Sequence, residues 1–220
     1  MTNAPIDRMF DPPGPRGRRT IRLASMLVVA LLAGLAWLVL YRFGRSGGLD
    51  RQAWAIFESP NVIKLLGKAL YATVRAALLA GLIALAWGTA LALMRLSRHR
   101  WLRMAVAAYV EVTRSLPTLL VLYFTILVLP FYGLRLPIYG QLVLALTITN
   151  ASMISEVLRA SLLSIPAGQL EASLSLGLTR PRAFWYIILP QGFRAAMPAL
   201  VAQLVYLLKG TTLGYVISYE

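Results

Sequence analysis

Residues 66–95 read LGKALYATVRAALLAGLIALAWGTALALMR, an unbroken apolar run whose only charges are Lys68, Arg75 and Arg95. A bilayer core about 30 Å thick is crossed by roughly 20 apolar residues in a helix. In lipid the backbone must satisfy its own hydrogen bonds, so a single apolar segment of this length has to be helical. The run therefore reads as a transmembrane helix. Working outward, further apolar segments of spanning length lie at 21–41, 104–130, 141–163 and 195–217. The chain of 220 residues is 59% hydrophobic and has only 22 Lys and Arg and 8 Asp and Glu. The predicted fold is an all-α integral membrane protein, a polytopic bundle of about five transmembrane helices.

The segment at 21–41 follows a basic stretch with Arg16, Arg18, Arg19 and Arg22, which raises the possibility of a signal peptide. Its apolar core is longer than the 7–15 residues typical of such a signal, and no small-residue cleavage site follows before Arg42. It reads as a retained first span over 20–41, preceded by a basic tail at 1–19 whose Pro and Gly residues predict no packed structure, and followed by an outer loop at 42–65. Arginine and lysine accumulate on the cytoplasmic side of membrane proteins. Arg8, Arg16, Arg18, Arg19 and Arg22 lie in the tail, Arg95, Arg98, Arg100 and Arg103 in the next connector on that side, and Arg159, Arg180, Arg182 and Arg194 in the 159–194 region. The other side carries only Arg42, Arg45, Arg51, Lys64, Lys68 and Arg135. The predicted topology has the N-terminus and the 95–103 and 164–194 connectors in the cytoplasm.

The net charge of +14 invites a nucleic-acid reading, but the basic residues sit between apolar segments and form no face interleaved with aromatics. Without cysteine there is no disulfide, thiolate nucleophile or cysteine metal site. The lone His99 lies in a basic run and reads as a solvated loop residue. No G-x-x-x-x-G-K-[ST], HExxH or nucleophile-elbow pattern occurs, so no ATP site or hydrolytic site of those kinds is built here. Internal repeats of the sort that mark many ion-driven transporters are not found either.

The connector at 164–190 has a design of its own. Pro166 suits the start of a helix, Glu171 falls in its first half, and Gly177 suits a left-handed end. Thr179 and Pro181 then start a second helix running through Phe184, Trp185 and Ile188 to Leu189 and Pro190. A helix-turn-helix on the membrane surface is predicted. On shape alone an amphipathic hairpin resting on headgroups satisfies this pattern. Ala172, Ser173 and Gly177 are small, and Leu170 and Leu174 form an apolar face.

Glu171, Ala172 and Ser173, then Gly177, Ile187, Leu189 and Pro190, resemble the EAA loop (E-A-A-x3-G-x9-I-x-L-P) of ABC importer permeases, with Ser173 for the third small residue. Ser155 to Arg159, Ser164 to Pro166, Gly168-Gln169, Leu189 to Gln191, Arg194 and Leu208 to Leu213 resemble the polar amino-acid branch, as does Glu111 to Pro117, over about residues 66–220 in all. The long outer loop and extra first span resemble glutamate- and glutamine-type permeases. Gly210 stands where that branch usually has Asp, and Ala202 where it often has Asn. The resemblance implies a type I ABC importer transmembrane domain at 66–217, lacking a final span that usually follows the Lys209 segment. It also implies docking of a P-loop ATPase on the 164–190 loop, a second permease subunit, an extracytoplasmic solute-binding protein and an amino-acid substrate. ATP and Mg are then held by the partner and no cofactor by this chain, and the resemblance places the chain in the cytoplasmic membrane of a bacterial cell. Methionine and other small solutes are the alternative cargoes within the class.

Ionisable residues inside apolar spans are costly unless they are paired or face water. Arg75, Glu111, Arg114, Glu156, Arg159 and Lys209 are therefore expected to face inward. Glu111 and Arg114, and Glu156 and Arg159, are each three apart and share a helix face, allowing pairing. Such pairs can lock span to span or line a path for a zwitterion. The polar interruption around Lys209, Gly210, Thr211 and Thr212 is of the kind found where backbone lines a cavity or packs on protein.

Overall fold

The computed structural model describes residues 14–217. Its contacts divide into two units, residues 1–64 and 65–220. In the first unit α1 spans Pro15–Arg45, so the predicted span begins earlier than residue 20, with Pro15 in the first turn where its missing N–H costs nothing. The predicted unstructured tail is helical from Pro15 onward, and residues 1–13 lie outside the described region. The outer loop is shorter than 42–65. A short helix α2 (Arg51–Trp54) and a 3-10 turn (Ala55–Glu58) occupy it, and the Trp54 indole N–H donates to the Gly48 carbonyl at 2.7 Å.

Helix α3 runs Pro60–Arg95, α4 Arg100–Ser115, α5 Thr118–Phe131 and α6 Ile138–Leu163. The segment predicted as one span at 104–130 is two helices, α4 and α5, bent by 99°. Pro117 causes the break, because it has no N–H to continue the helix and it forces the preceding residue out of helical conformation. Leu116 accordingly sits at φ −86°, ψ 130°. The remaining helices are α7 (Ala167–Ser175), α8 (Arg180–Ala183) and α9 (Leu189–Gly210), with a π turn at Phe184–Ile188 and a 3-10 turn at Thr211–Ile217.

The second unit is built round α6. Helices α4, α5 and α9 all pack on it, and it buries Leu142, Ala145, Leu146, Ala151, Ile154, Leu158 and Leu162 together with polar Thr149, Asn150, Ser152 and Ser155. The face that α3 buries is a row of small residues, Ala76, Ala80, Ala84, Gly88 and Ala92, one every four positions. Lipid tails are as apolar as Leu, so spans associate through close packing of small side chains rather than hydrophobic exclusion. Gly88 shows how close the approach is, since a Cβ there would stand 2.6 Å from the Ala151 carbonyl oxygen and 2.8 Å from Ile154 Cγ2. Two apolar clusters result, one centred on Leu142, Leu146 and Leu207, the other on Leu91, Val110, Ile154 and Leu158.

Candidate functional site

The predicted hairpin is present, with its ends made as the sequence implies. Helix α7 starts behind Pro166 and ends on Gly177 at φ +83°. The Leu178 N–H donates to the Ser173 carbonyl at 3.1 Å and the Gly177 N–H to the Leu174 carbonyl at 3.0 Å. This is the Schellman arrangement, which satisfies the last carbonyls of a helix and needs the left-handed residue that glycine supplies. Thr179 stands at the start of α8, but its side chain makes no capping bond. The second helix does not end at Pro190. It continues through the π turn into α9, so that residues 180–214 form one long helix. Pro190 has no N–H and its ring crowds the carbonyl four residues back, and the π turn ahead of it is one way a helix absorbs that mismatch.

Side chains within the hairpin divide into an inner and an outer set. Ser173 is buried, with its hydroxyl donating to the Gln169 carbonyl at 2.6 Å, so it belongs to the packing of α7 on α8 rather than to an approach surface. Gln191 Nε2 donates to Gln169 Oε1 at 3.2 Å, tying α7 to α9. Leu170 and Leu174 are half-buried, whereas Glu171, Ala172 and Gly177 are exposed. Leu176, unremarked in the sequence, is 84% exposed at the tip. Glu171, Ala172 and Leu176 are thus open on the hairpin, and the Leu170–Leu174 stripe is partly covered. Of the remaining motif residues, Ile187 and Leu189 are half-buried and Pro190 is exposed.

A charged node lies on the other end of α6's polar stripe. Glu156 accepts from Arg159 at 2.9 Å, is hydrogen-bonded to Arg95 at the end of α3, and has Arg114 at the end of α4 within 3.6 Å. One carboxylate, 27% exposed, therefore joins α3, α4 and α6 and leaves an excess of two positive charges. The Glu156–Arg159 pair is as expected. Glu111 does not pair with Arg114: it is exposed and makes no ion pair among the described residues. Helix α4 packs through Val106, Val110 and Thr113. Arg114, four residues beyond Val110, shares that face, whereas Glu111 points away from it. Arg95 was countable only as a loop arginine, since its partner is 61 positions away. Arg75 is exposed rather than inward-facing, with its guanidinium 4.3 Å from the Tyr139 ring centre.

Two adjoining cavities open along this polar side. The first, about 260 Å³, is lined by Thr113, Arg114, Ser115, Thr118, Thr149 and Tyr206 among others. The second, about 240 Å³, has Thr118, Asn150, Tyr206, Lys209, Gly210 and Thr212 in its walls. Thr118 and Tyr206 are common to both, so Arg114 and Lys209 flank one stretch of polar surface. Asn150 is held for this purpose, donating to the Leu146 carbonyl at 2.7 Å and accepting from Gln203 Nε2 at 2.8 Å. Thr211, expected beside Lys209, is buried with its hydroxyl on the Leu208 carbonyl at 2.7 Å, and Thr212 lines the cavity in its place. Gly210 lies against α6, with a Cβ at that position 3.0 Å from Leu146 Cδ2.

A family model described as the inner membrane component of a binding-protein-dependent transport system matches residues 67–218. The chain belongs to this family. It is 36% identical over 178 residues to the glutamate transport system permease protein GluD of Corynebacterium glutamicum, the match covering 79% of this chain and 65% of GluD. It is 35% identical over 125 residues to the probable glutamine ABC transporter permease protein GlnP of Bacillus subtilis, covering 57% of each. The chain thus spans less than two thirds of these two relatives. With the glutamate/aspartate import permease protein GltK of Escherichia coli O157:H7 it shares 36% identity over 157 residues, 68% of this chain and 70% of GltK. Among solved structures, an amino acid ABC transporter crystallised with histidines aligns with a TM-score of 0.66 at 29% identity, over 72% of this chain and 76% of that one. The MetNI methionine ABC transporter, at 22% identity and a TM-score of 0.62 over 72% and 77%, shares the fold. The transmembrane architecture of an ABC importer is therefore the fold of this family member, and the chain is an integral membrane protein.

Proposed function

We propose that this chain is the non-catalytic permease subunit of an ABC importer that carries polar amino acids of the glutamate and glutamine type into a bacterial cell. The observation that carries the reading is the family match over residues 67–218, together with a hairpin whose Glu171, Ala172 and Leu176 face outward. In the proposed topology the N-terminus and the hairpin are cytoplasmic. A P-loop ATPase, which holds ATP and Mg, docks on residues 164–190. A solute-binding protein delivers cargo on the far side, and a second permease subunit completes the path. Because α8, the π turn and α9 form one helix up to residue 214, a push on the hairpin is delivered directly to the Tyr206 and Lys209 wall of the cavities, which is what alternating access requires. Arg114 and Lys209 supply positive charge for a substrate carboxylate, and Asn150, Thr118 and Thr212 supply hydrogen-bonding groups. An uptake panel of radiolabelled glutamate, glutamine, histidine and methionine, with the chain co-expressed beside its partners, tests the cargo. Preference for glutamate or glutamine is expected, and selective methionine uptake would reject the assignment.

A further inference from the structure

A cavity of about 670 Å³ in the second unit is not among those attributed to the transport path. It lies between the end of α6, both arms of the hairpin and the connector after α3. Its walls are apolar, including Leu163, Ile165, Leu170, Phe184 and Trp185, except for two guanidiniums, those of Arg98 and Arg180. Among the described residues no carboxylate lines it, and both arginines are exposed. An apolar trough of this size takes a small molecule or an alkyl chain. Two uncompensated arginines on it call for an anion, and planar guanidinium matches phosphate with paired donors.

Its surroundings place the trough at a membrane surface. The start of α4 adds Arg100 and Arg103, and Trp101 beside them is 84% exposed. Exposed tryptophan and clustered arginine are the signature of the headgroup layer, and basic pockets between spans on the cytoplasmic side bind anionic headgroups. We infer that this cavity is a binding site for an anionic phospholipid of the cytoplasmic leaflet, its phosphate held by Arg98 and Arg180 and an acyl chain lying on Leu163, Leu170, Phe184 and Trp185. The assignment to that leaflet rests on the topology proposed above. A lipid there touches both hairpin arms and the end of α6 at once, bracing the base of the hairpin.

The chain, purified in detergent and mixed with equimolar dioleoyl phosphatidylglycerol and dioleoyl phosphatidylcholine, is the test, with bound lipid read by native mass spectrometry. Phosphatidylglycerol adducts are expected to dominate and to fall roughly tenfold or more in the Arg98→Gln/Arg180→Gln variant. An Arg51→Gln/Arg135→Gln variant, which removes the same charge elsewhere, is expected to keep them. A matching concentration of inorganic phosphate is expected not to displace the lipid, and displacement would mark a simple anion site. Equal adducts of the two lipids, or adducts indifferent to Arg98 and Arg180, would overturn the proposal. The chain has no cysteine, so Ser175→Cys reports the side of the hairpin to an impermeant maleimide. Labelling from the outer side overturns the topology and with it the leaflet. Cytoplasmic labelling with unselective lipid binding overturns the lipid site alone.

Discussion

Replacing Glu156 by Gln leaves Arg95, Arg114 and Arg159 gathered with no carboxylate between them. Removing one partner of a fully buried pair costs about 3–5 kcal/mol, and this node is partly open, so a loss on the order of 2 kcal/mol is expected as a lower thermal midpoint in detergent. Arg114→Gln is expected to cost less than Arg95→Gln, because Arg114 is 3.6 Å from the carboxylate and 36% exposed against 13% for Arg95. Lys209 makes the opposite prediction. It is exposed and lines a cavity, so Lys209→Ala is expected to cut uptake while leaving membrane insertion and thermal midpoint unchanged, and normal uptake would remove it from the path. The local part of the node, Glu156 with Arg159, was legible because three residues on a helix share a face. Arg95 was not, because nothing local encodes a partner one helix away. The expected Glu111–Arg114 pair failed for a similar reason: which face of α4 turns toward α6 is decided by where Val106, Val110 and Thr113 are buried.

At the scale of the helices, length and apolarity were sufficient to find α1, α3, α6 and α9, and Gly177 and Pro166 marked the ends of α7. The break at Pro117 inside the segment expected as one span at 104–130 was not anticipated, because the size of the bend depends on what α4 and α5 each pack against. The continuation of the hairpin into α9 was masked by Pro190, which reads as an end signal and is instead accommodated by a π turn. The small-residue row on α3 makes a test independent of function. In Gly88→Ala the new methyl meets a backbone carbonyl, which cannot step aside, and overpacking of this kind costs about 1–3 kcal/mol. Gly67→Ala, with nothing within 4 Å, is expected to be neutral or slightly stabilising, since alanine favours helix over glycine. Equal midpoints for the two variants would contradict the packing of α3 on α6.

For the whole molecule, two arrangements come together on a single long helix. Its hairpin end follows α7 and the turn that offer Glu171, Ala172 and Leu176, and its far end carries Tyr206 and Lys209 along the cavities. Membrane spanning could be deduced from composition alone, whereas the polar interior could not, because the Asn150–Gln203 and Thr113–Ser152 bonds join helices whose pairing only the fold decides. Energy applied at one end and cargo handled at the other is the central claim. The most direct test places the chain in proteoliposomes with its binding protein, with and without the partner ATPase, and measures radiolabelled glutamate and glutamine accumulation. The account predicts uptake only with both the ATPase and ATP present, lost in a Leu176→Glu variant that still inserts. Accumulation without any ATPase would contradict it.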